Sequence, residues 1–353
     1  MNKTDLEAQP DLHYSVFDDV IDYLRKQKVM APSYVPAGKD GAYPSGTDGW
    51  FMTLAVLRGR GWSNIALPWA LVTINAIWWT VFMKNIGEID APEFNTWKSV
   101  YQLGISTTLS FLLTFRLNRA ILRFWEGMKA WGNIVVNAKS LASGILAHGR
   151  DEPKLRDRAI VWTTATCIAA KAQIRGVTLG YEQLKGILTE EEVEKVSQSC
   201  NPSLYAADEV RHYLKYMLDV VNPARASETR QLEGKLDSII ANIGTTEIII
   251  DTPLPLVYVS NLRTFLLIYL LSLPYVTWES WGWMTIPVVS ITGLLFLSID
   301  GASMEVENPF EKGMVNDLDL DHYCRIILED VQMLVKKTNE RDGVLSREKG
   351  QAA

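Results

Sequence analysis

The sequence predicts an all-α membrane protein, and three observations lead to that fold class. Charged side chains are absent from a few long stretches of the 353 residues and dense between them, as in membrane spans joined to a soluble part. The polar region between these stretches has helical periodicity and no strand-like alternation. Twelve Trp and thirteen Tyr are many for this length, and several flank the apolar runs, as aromatic side chains do at membrane interfaces.

The first two apolar runs differ in length. The first covers residues 61–83, free of charge between Arg60 and Lys84. At about 1.5 Å per residue it is long enough to cross a hydrocarbon core of about 30 Å. The second covers 100–115 and ends at Arg116. It is short for a lipid-facing span, so we expect one end to lie inside protein or to line water.

The third and fourth apolar runs form a pair. They cover residues 264–278 and 281–299, with only Glu279 and Ser280 between them. Such a short link predicts two antiparallel helices. A buried hairpin in a soluble protein is the alternative for this pair, but the first span favours four transmembrane helices.

The flanking charges predict the orientation in the membrane. Loop 84–98 has two lysines against three acids, whereas the other flanks are strongly basic, at Arg58, Arg60, Arg116, Arg119, Arg123, Lys129 and Arg263. By the positive-inside rule, both termini and the long middle region are cytoplasmic. We therefore expect a multi-pass protein of the plasma membrane or the cell inner membrane.

These runs divide the chain into three parts. Residues 1–49, rich in Pro and Gly in their second half, predict an irregular N-terminal extension. A core domain follows over 50–335, with long helices that continue from the membrane into a cytoplasmic helical part at about 116–262 and 300–335. The polar residues 336–353 predict a loose tail.

Local signals mark helix ends in the middle region. Thr189 followed by Glu192 has the spacing of a capping box at a helix N-terminus. Asn201-Pro202 and Asn222-Pro223 predict breaks.

Several classes of function find no support. The net charge of −6 argues against nucleic-acid binding, and three widely spaced cysteines form no disulfide or zinc framework. The polar, acidic N-terminus has no signal-peptide character. No hydrolase, nucleotide-binding or dinucleotide motif occurs, so we predict no enzymatic activity. Glu209-Val-Arg-His212 is a single E-x-x-H match, where a diiron bundle needs two.

An acidic segment imitates the start of an EF-hand loop. It reads Asp317-x-Asp319-x-Asp321, but His322 stands where glycine is required and Leu328 where a bidentate glutamate is required. We reject the EF-hand, and a looser calcium or magnesium site stays as an alternative to a solvated acidic segment.

The second span carries a stripe of interest. Thr107, Phe111, Phe115 and Arg119 are four residues apart, so they lie along one side of a helix that drifts by about 40° per step. Packing or lipid contact is the ordinary role of such phenylalanines. The shortness of the span and its charged helical continuation instead favour a helix that lines an axial pore.

Three separated segments resemble one known family. The first segment matches the family motif S-F-L-L-x-F-R-x-N…R-x-x-E-G, and it consists of Ser110-Phe-Leu-Leu-Thr-Phe-Arg-Leu-Asn118 with Arg123 and Trp125-Glu-Gly127. The second segment is similar to the motif N-T-P-(I/L)-P-x-x-Y and reads Asp251-Thr-Pro-Leu-Pro-Leu-Val-Tyr258. The third resembles E-x-E-N-P-F-G…N-D-L and consists of Glu305-Val-Glu-Asn-Pro-Phe310 with Asn316-Asp-Leu318. In this order they identify residues 50–335 as a member of the bestrophin family, in its bacterial, plant and fungal branch.

The resemblance implies a pentamer with one central pore, lined by the second membrane helix of each chain. Family members mostly pass chloride and other small anions, and some bacterial members pass cations. The narrow neck of the family maps onto Thr107, Phe111 and Phe115, with Asn118 and Arg119 in the vestibule. Rings of phenylalanine form a constriction that gates by dewetting, and their positive ring edges favour a partly dehydrated anion.

This sequence departs from the family at two pore positions. Thr107 replaces an aliphatic residue, and we expect a wetter ring with hydroxyl donors. Arg119 replaces a small polar residue, and five guanidinium groups below the neck would attract anions. The alternative is that Arg119 pairs with Glu126 or another acid outside the pore.

The resemblance also indicates where calcium binds in animal members. Asn308 matches one ligand, Asp317 comes to the last acidic position, and Glu305 can stand at another. Gly313 occupies a position that should be acidic. We therefore expect a weak calcium site or none, and no required cofactor.

The functional prediction is a homopentameric channel that passes chloride or other small anions across a lipid bilayer. A cation-selective channel of the same fold is one alternative. A non-conducting membrane scaffold is the other.

Overall fold

The computed structural model describes residues 14–26, 62–86, 95–220, 226–311 and 317–351. These residues contain ten α-helices and no β-strand, which confirms the all-α prediction. The helices are α1 Asp18–Lys26, α2 Trp62–Ile86, α3 Asn95–His148, α4 Pro153–Ile174, α5 Glu190–Gln198, α6 Pro202–Lys215, α7 Ala226–Asp251, α8 Leu256–Trp281, α9 Thr285–Glu307 and α10 Leu320–Gln351. Short 3-10 turns cover Tyr14–Phe17, Tyr181–Gln183 and Gly282–Met284, and a π-helical turn covers Tyr216–Val220.

The chain divides into two compact units. The apolar unit comprises residues 30–126 and 252–317, and the polar unit comprises residues 1–29, 127–251 and 318–353. Helix α3 has 54 residues, or about 80 Å at 1.5 Å per residue, and supplies residues to both units.

The core of the apolar unit is formed by α2, α8, α9 and the first part of α3. Its buried side chains are almost all aliphatic: Ile65, Val72, Ala76, Leu109, Leu113, Leu262, Leu266, Tyr269, Leu270, Leu273, Val289 and Leu297. Two polar side chains fasten neighbouring helices, since Trp69 Nε1 donates to the Ser290 carbonyl at 3.0 Å and Asn75 Nδ2 to the Leu271 carbonyl at 2.9 Å. Interhelical hydrogen bonds of this kind hold membrane helices together, where apolar burial alone provides little driving force.

Two helical stretches of the described residues are long and apolar enough to cross a membrane. They are Asn64–Asn85 and Leu256–Glu307, with mean hydropathies of 1.6 and 1.8. The second stretch comprises α8 and α9, which meet at the turn Gly282–Met284. The predicted span 100–115 lies within α3 and is not among these stretches, in keeping with its shortness.

The polar unit is built around α4. Sixteen of its residues are buried, including Trp162 and Lys171. Lys171 Nζ lies 2.8 Å from Asp321 of α10, and Arg175 pairs with the same carboxylate. Burial alone would raise the pKa of Asp321, but the two cations outweigh it and lower that pKa below its usual value.

Predicted helix ends in the polar unit agree with the structure where it is described. Thr189 and Glu192 form a reciprocal capping box at the start of α5. Asn201 caps α6 by accepting a hydrogen bond from the Leu204 amide, which gives the predicted break before Pro202. The predicted break at Asn222-Pro223 lies outside the described residues.

Two predictions about the chain ends are wrong. Residues 14–26 of the predicted irregular extension form a 3-10 turn and α1, whose side chains Phe17, Val20, Ile21 and Leu24 are buried. The Pro- and Gly-rich residues 32–46 lie outside the described residues. The predicted loose tail is helical to Gln351, and Asp342 lies 3.4 Å from the buried Arg156.

Candidate functional site

The predicted pore residues lie on one side of α3, opposite the side that packs in the apolar unit. Leu109, Leu113, Arg116 and Ala120 are buried, and at 100° per residue they fall within one narrow sector of the helix. Thr107, Phe111, Phe115, Asn118 and Arg119 are all exposed. The helix therefore presents a continuous unpacked face that combines aromatic, polar and cationic side chains.

The two phenylalanines are the most prominent part of this face. Phe111 is 62% exposed and Phe115 is 57% exposed, and their ring centroids are 6.3 Å apart at an interplanar angle of 31°. Aromatic rings of this size contribute strongly to packing wherever they are buried, yet the described residues of the apolar unit leave both rings open. The face is thus available to an axis, to another copy of the chain or to lipid.

Thr107 differs from the expectation of a free hydroxyl donor. Its Oγ1 donates to the Leu103 carbonyl at 2.6 Å, so the proton is already used within the helix. The neighbouring hydroxyls do the same, each with a backbone carbonyl three or four residues earlier, at Ser106, Thr108, Ser110 and Thr114. In this conformation the helix backbone takes up the hydroxyl proton, and the expectation that a ring of Thr107 offers donors stays a prediction.

Arg119 is exposed on α3. Among the described residues, neither Glu126 nor any other carboxylate forms an ion pair with it. Asn118 is exposed beside it. The alternative pairing of Arg119 with Glu126 is therefore not seen in this conformation, although the location of Arg119 in a pore stays a prediction.

A buried ion pair lies on the packed side of α3, opposite the stripe, and the sequence pattern does not predict it. Arg116 is 1% exposed and pairs with Asp300 of α9, whose other oxygen accepts from Arg263 Nε of α8 at 3.1 Å. One carboxylate thus links α3, α8 and α9. The sequence does contain one indication of this pair. Asp300 is an isolated acid directly after the fourth apolar run, and an acid buried there requires a cationic partner.

The three segments that carry the family resemblance meet at Arg123. Arg123 Nη1 donates to the Thr252 carbonyl at 2.7 Å, and Arg123 Nε donates to the Glu307 carbonyl at 3.3 Å. The Glu307 carboxylate accepts from the Leu254 amide at 2.9 Å. The segments therefore form one structural junction within the apolar unit.

The candidate calcium residues are only partly brought together. Asn308 Oδ1 accepts from the Phe310 amide at 3.3 Å and Asn308 Nδ2 donates to Glu311 at 3.1 Å. Residues 312–316, which precede Asp317, lie outside the description. In the described part of the chain, no group of three or more His, Cys, Asp or Glu side chains could hold a metal ion. The weak calcium site with Glu305 stays a prediction.

Comparison with known proteins points to one family. The model of a family described as bacterial and fungal bestrophin protein matches residues 44–333. A voltage-dependent anion channel-forming protein of Nostoc sp. strain PCC 7120 is 34% identical over 236 residues, which cover 65% of this chain and 75% of the relative. The chloroplastic voltage-dependent chloride channel 2 of Arabidopsis thaliana is 26% identical over 233 residues, covering 65% and 54%.

A solved structure has the same fold. The crystal structure of a bacterial bestrophin homologue from Klebsiella pneumoniae has a TM-score of 0.68 and 21% sequence identity to this chain. The match covers 77% of this chain and 98% of the homologue.

Proposed function

This chain belongs to the bacterial and fungal bestrophin family and is a membrane protein, and from that premise we propose that it forms an anion channel. Five copies surround one central pore, and each copy contributes the exposed stripe of α3. Chloride and other small anions pass through this pore. The observation that carries the proposal is the unpacked face with Phe111, Phe115 and Arg119 on the side of α3 opposite its buried residues.

The chemistry of this face favours anions. Five copies of Phe111 and Phe115 form a hydrophobic constriction, and ring edges turned toward the axis present partial positive charge to a partly dehydrated anion. Five copies of Arg119, one turn away from Phe115, concentrate anions beside the constriction and oppose cations. Two sequence relatives are named as an anion channel-forming protein and a chloride channel, which agrees with this selectivity.

Four membrane spans supply the scaffold of the channel. They are α2, the first part of α3, α8 and α9, with both termini on the cytoplasmic side of a plasma or cell inner membrane. The basic residues at the predicted cytoplasmic flanks support this orientation. The short span of α3 suits a helix shielded from lipid by the neighbouring subunits.

The reversal potential tests the proposal directly. Purified protein in a planar bilayer under a KCl gradient should reverse near the chloride equilibrium potential. Reversal near the potassium potential would favour the cation-selective alternative, and the absence of current across a range of voltages would favour the scaffold. We expect currents without added cofactor, and with calcium chelated.

The variant Arg119→Glu tests the role of the stripe. Reversing five charges beside the constriction should shift the reversal potential toward the potassium value. Arg150→Glu, an exposed arginine in the turn after α3, is the matched control and should leave the potential unchanged. An Arg119→Glu channel with unaltered anion preference would remove Arg119 from the pathway.

A further inference from the structure

A second cationic feature lies within the apolar unit, away from the exposed stripe. A cavity of about 300 Å³ opens between α2, α8 and α9. Among the described residues that line it, the polar side chains are Asn64, Arg263 and Asp300, and the rest of the wall, which includes Leu267 and Met304, is apolar. A cavity of this size holds several waters or one small polar group.

The charges around this cavity are unequal. Among the described residues that line the cavity, Asp300 is the only one with a carboxylate, and it is shared between Arg263 and the buried Arg116. Glu307, which also acts on Arg116, is not in the lining and accepts the Leu254 amide. One negative charge therefore faces two guanidinium groups, which leaves an excess positive charge at Arg263.

The donors of Arg263 are also incompletely used. Arg263 Nε donates to Asp300, but Nη2 contacts only the Met304 thioether, a weak acceptor. Among the described residues, neither terminal nitrogen of Arg263 is bonded to an oxygen. A guanidinium fork with open donors matches the geometry of a phosphate group, which it can bind through two parallel hydrogen bonds.

We propose that this cavity binds the phosphate of an anionic lipid headgroup. Arg263 holds the phosphate oxygens, and the Asn64 amide faces the same space. The aliphatic side chains of the lining receive the glycerol and the first methylenes of the tails. The location favours a lipid over a free anion, because Arg263 lies about two turns inside the apolar stretch Leu256–Glu307 and the remaining wall, including the 39% exposed Leu267, is apolar.

Lipid binding can be measured on the full chain in detergent, without any current. The melting temperature is followed as dioleoylphosphatidylglycerol is added, and dioleoylglycerol, which has the same tails without phosphate, is the reference lipid. We expect phosphatidylglycerol to raise the melting temperature and dioleoylglycerol to have much less effect. Inorganic phosphate is a separate arm, and an equal effect of phosphate alone would overturn the lipid assignment.

The variant Arg263→Gln removes the charge but keeps Arg116 paired with Asp300. The apparent affinity for phosphatidylglycerol should fall about fivefold, the usual effect of one basic side chain beside an anionic lipid. Lys84→Gln, which removes a cation that lies over Trp283 at the other end of α2, is the matched control and should bind as the unmodified chain does. Equal affinity of Arg263→Gln and the unmodified chain would refute the proposal.

A second variant covers the case in which Arg263→Gln does not fold. Leu267→Trp fills the cavity from its exposed edge and leaves every ion pair intact, and it should also weaken phosphatidylglycerol binding. Undiminished binding would contradict the proposal. The outcome is independent of the proposed channel activity, since a non-conducting protein could bind the lipid and a conducting one could fail to.

Discussion

At the scale of single residues, the stability of the apolar unit depends on how its buried charges are neutralised. Arg116 is almost completely buried, and Asp300 is its partner on another helix. A buried charge that loses its partner is far more costly than a buried pair that is replaced as a whole by apolar side chains. The pair therefore connects α3 to α9. Comparing single and double substitutions separates the energy of this ion pair from the energy of packing.

The variant Asp300→Leu should lower the free energy of unfolding by about 3–5 kcal/mol, because it leaves the buried Arg116 without its ion-pair partner. The double variant Arg116→Leu, Asp300→Leu should recover most of the loss. Chemical denaturation in detergent measures both. A double variant that is less stable than Asp300→Leu would mean that Arg116 is held by other contacts.

The stability of the polar unit depends on pH through the ionisation of Asp321. Its pKa is lowered by Lys171 and Arg175, so its ionised form stabilises the fold above the ordinary aspartate pKa of about 4. That contribution is lost as the pH falls below this value and through the lowered pKa. In Asp321→Asn the contribution is absent at every pH.

We therefore expect the melting temperature of the unmodified chain to exceed that of Asp321→Asn at pH 6, and the difference to shrink below about pH 4. Asp330→Asn is the control, because this carboxylate is 40% exposed and pairs only with Lys139 in the described residues. Exposed pairs contribute about 0.2–1 kcal/mol, so its effect should be small. A constant difference for Asp321→Asn down to pH 3 would contradict the linkage.

How much the sequence reveals differs from residue to residue. The capping box at Thr189 is predictable because both partners lie within one turn of chain. The exposure of Phe111 and Phe115 agrees with their helical phase. The pairing of Arg116 with Asp300 is not predictable, since it joins residues far apart in sequence, and the hydroxyl of Thr107 turns to a carbonyl that every helix offers.

At the scale of elements, the short helix α1 is the clearest case in which the sequence contains helix signals that stronger loop signals outweigh. Phe17, Val20, Ile21 and Leu24 have helical spacing, and Asp18 begins the first turn. The Pro- and Gly-rich residues that follow outweigh these signals when residues 1–49 are treated as one segment. The helix is held by α10, because Gln332 Nε2 donates to Asp18 at 2.7 Å and Arg25 lies 3.1 Å from Glu329.

The variant Phe17→Ala should destabilise the polar unit by about 3–5 kcal/mol, the usual cost of truncating a buried phenylalanine. Phe17 is 0% exposed, whereas Lys26 at the end of α1 is exposed. Lys26→Ala should therefore change the free energy of unfolding very little. Equal stability of the two variants would mean that α1 is not part of the folded core.

At the scale of the whole molecule, the described residues of a single chain leave one face of α3 without packing partners. Large apolar side chains remain open along the helices of the apolar unit, among them Leu103, Phe111, Phe115 and Phe265. Lipid can cover some of these side chains. The charge of Arg119 beside the two phenylalanines instead favours a location next to water, on the axis of an oligomer. The proposed central pore can form only when several copies of the chain assemble.

The oligomer should contain five chains of 39.7 kDa, a mass of about 200 kDa for the closed ring. Native mass spectrometry of detergent-solubilised protein gives the copy number directly. Heating the sample in denaturant, which should release single chains, provides the reference mass. A ring of four or six copies would change the width of the constriction that Phe111 and Phe115 form, and a monomer would exclude an axial pore.

The contact between α1 and α10 has a consequence for biosynthesis. The hydrogen bond from Gln332 to Asp18 joins residues 314 positions apart, and that between Arg25 and Glu329 joins residues 304 positions apart. Helix α1 leaves the ribosome long before α10 is translated, so the side of α1 that packs on α10 stays uncovered until then. Completion of α10 is therefore the event that closes the polar unit, and nascent chains that stop before α10 should be targets for chaperones and proteases.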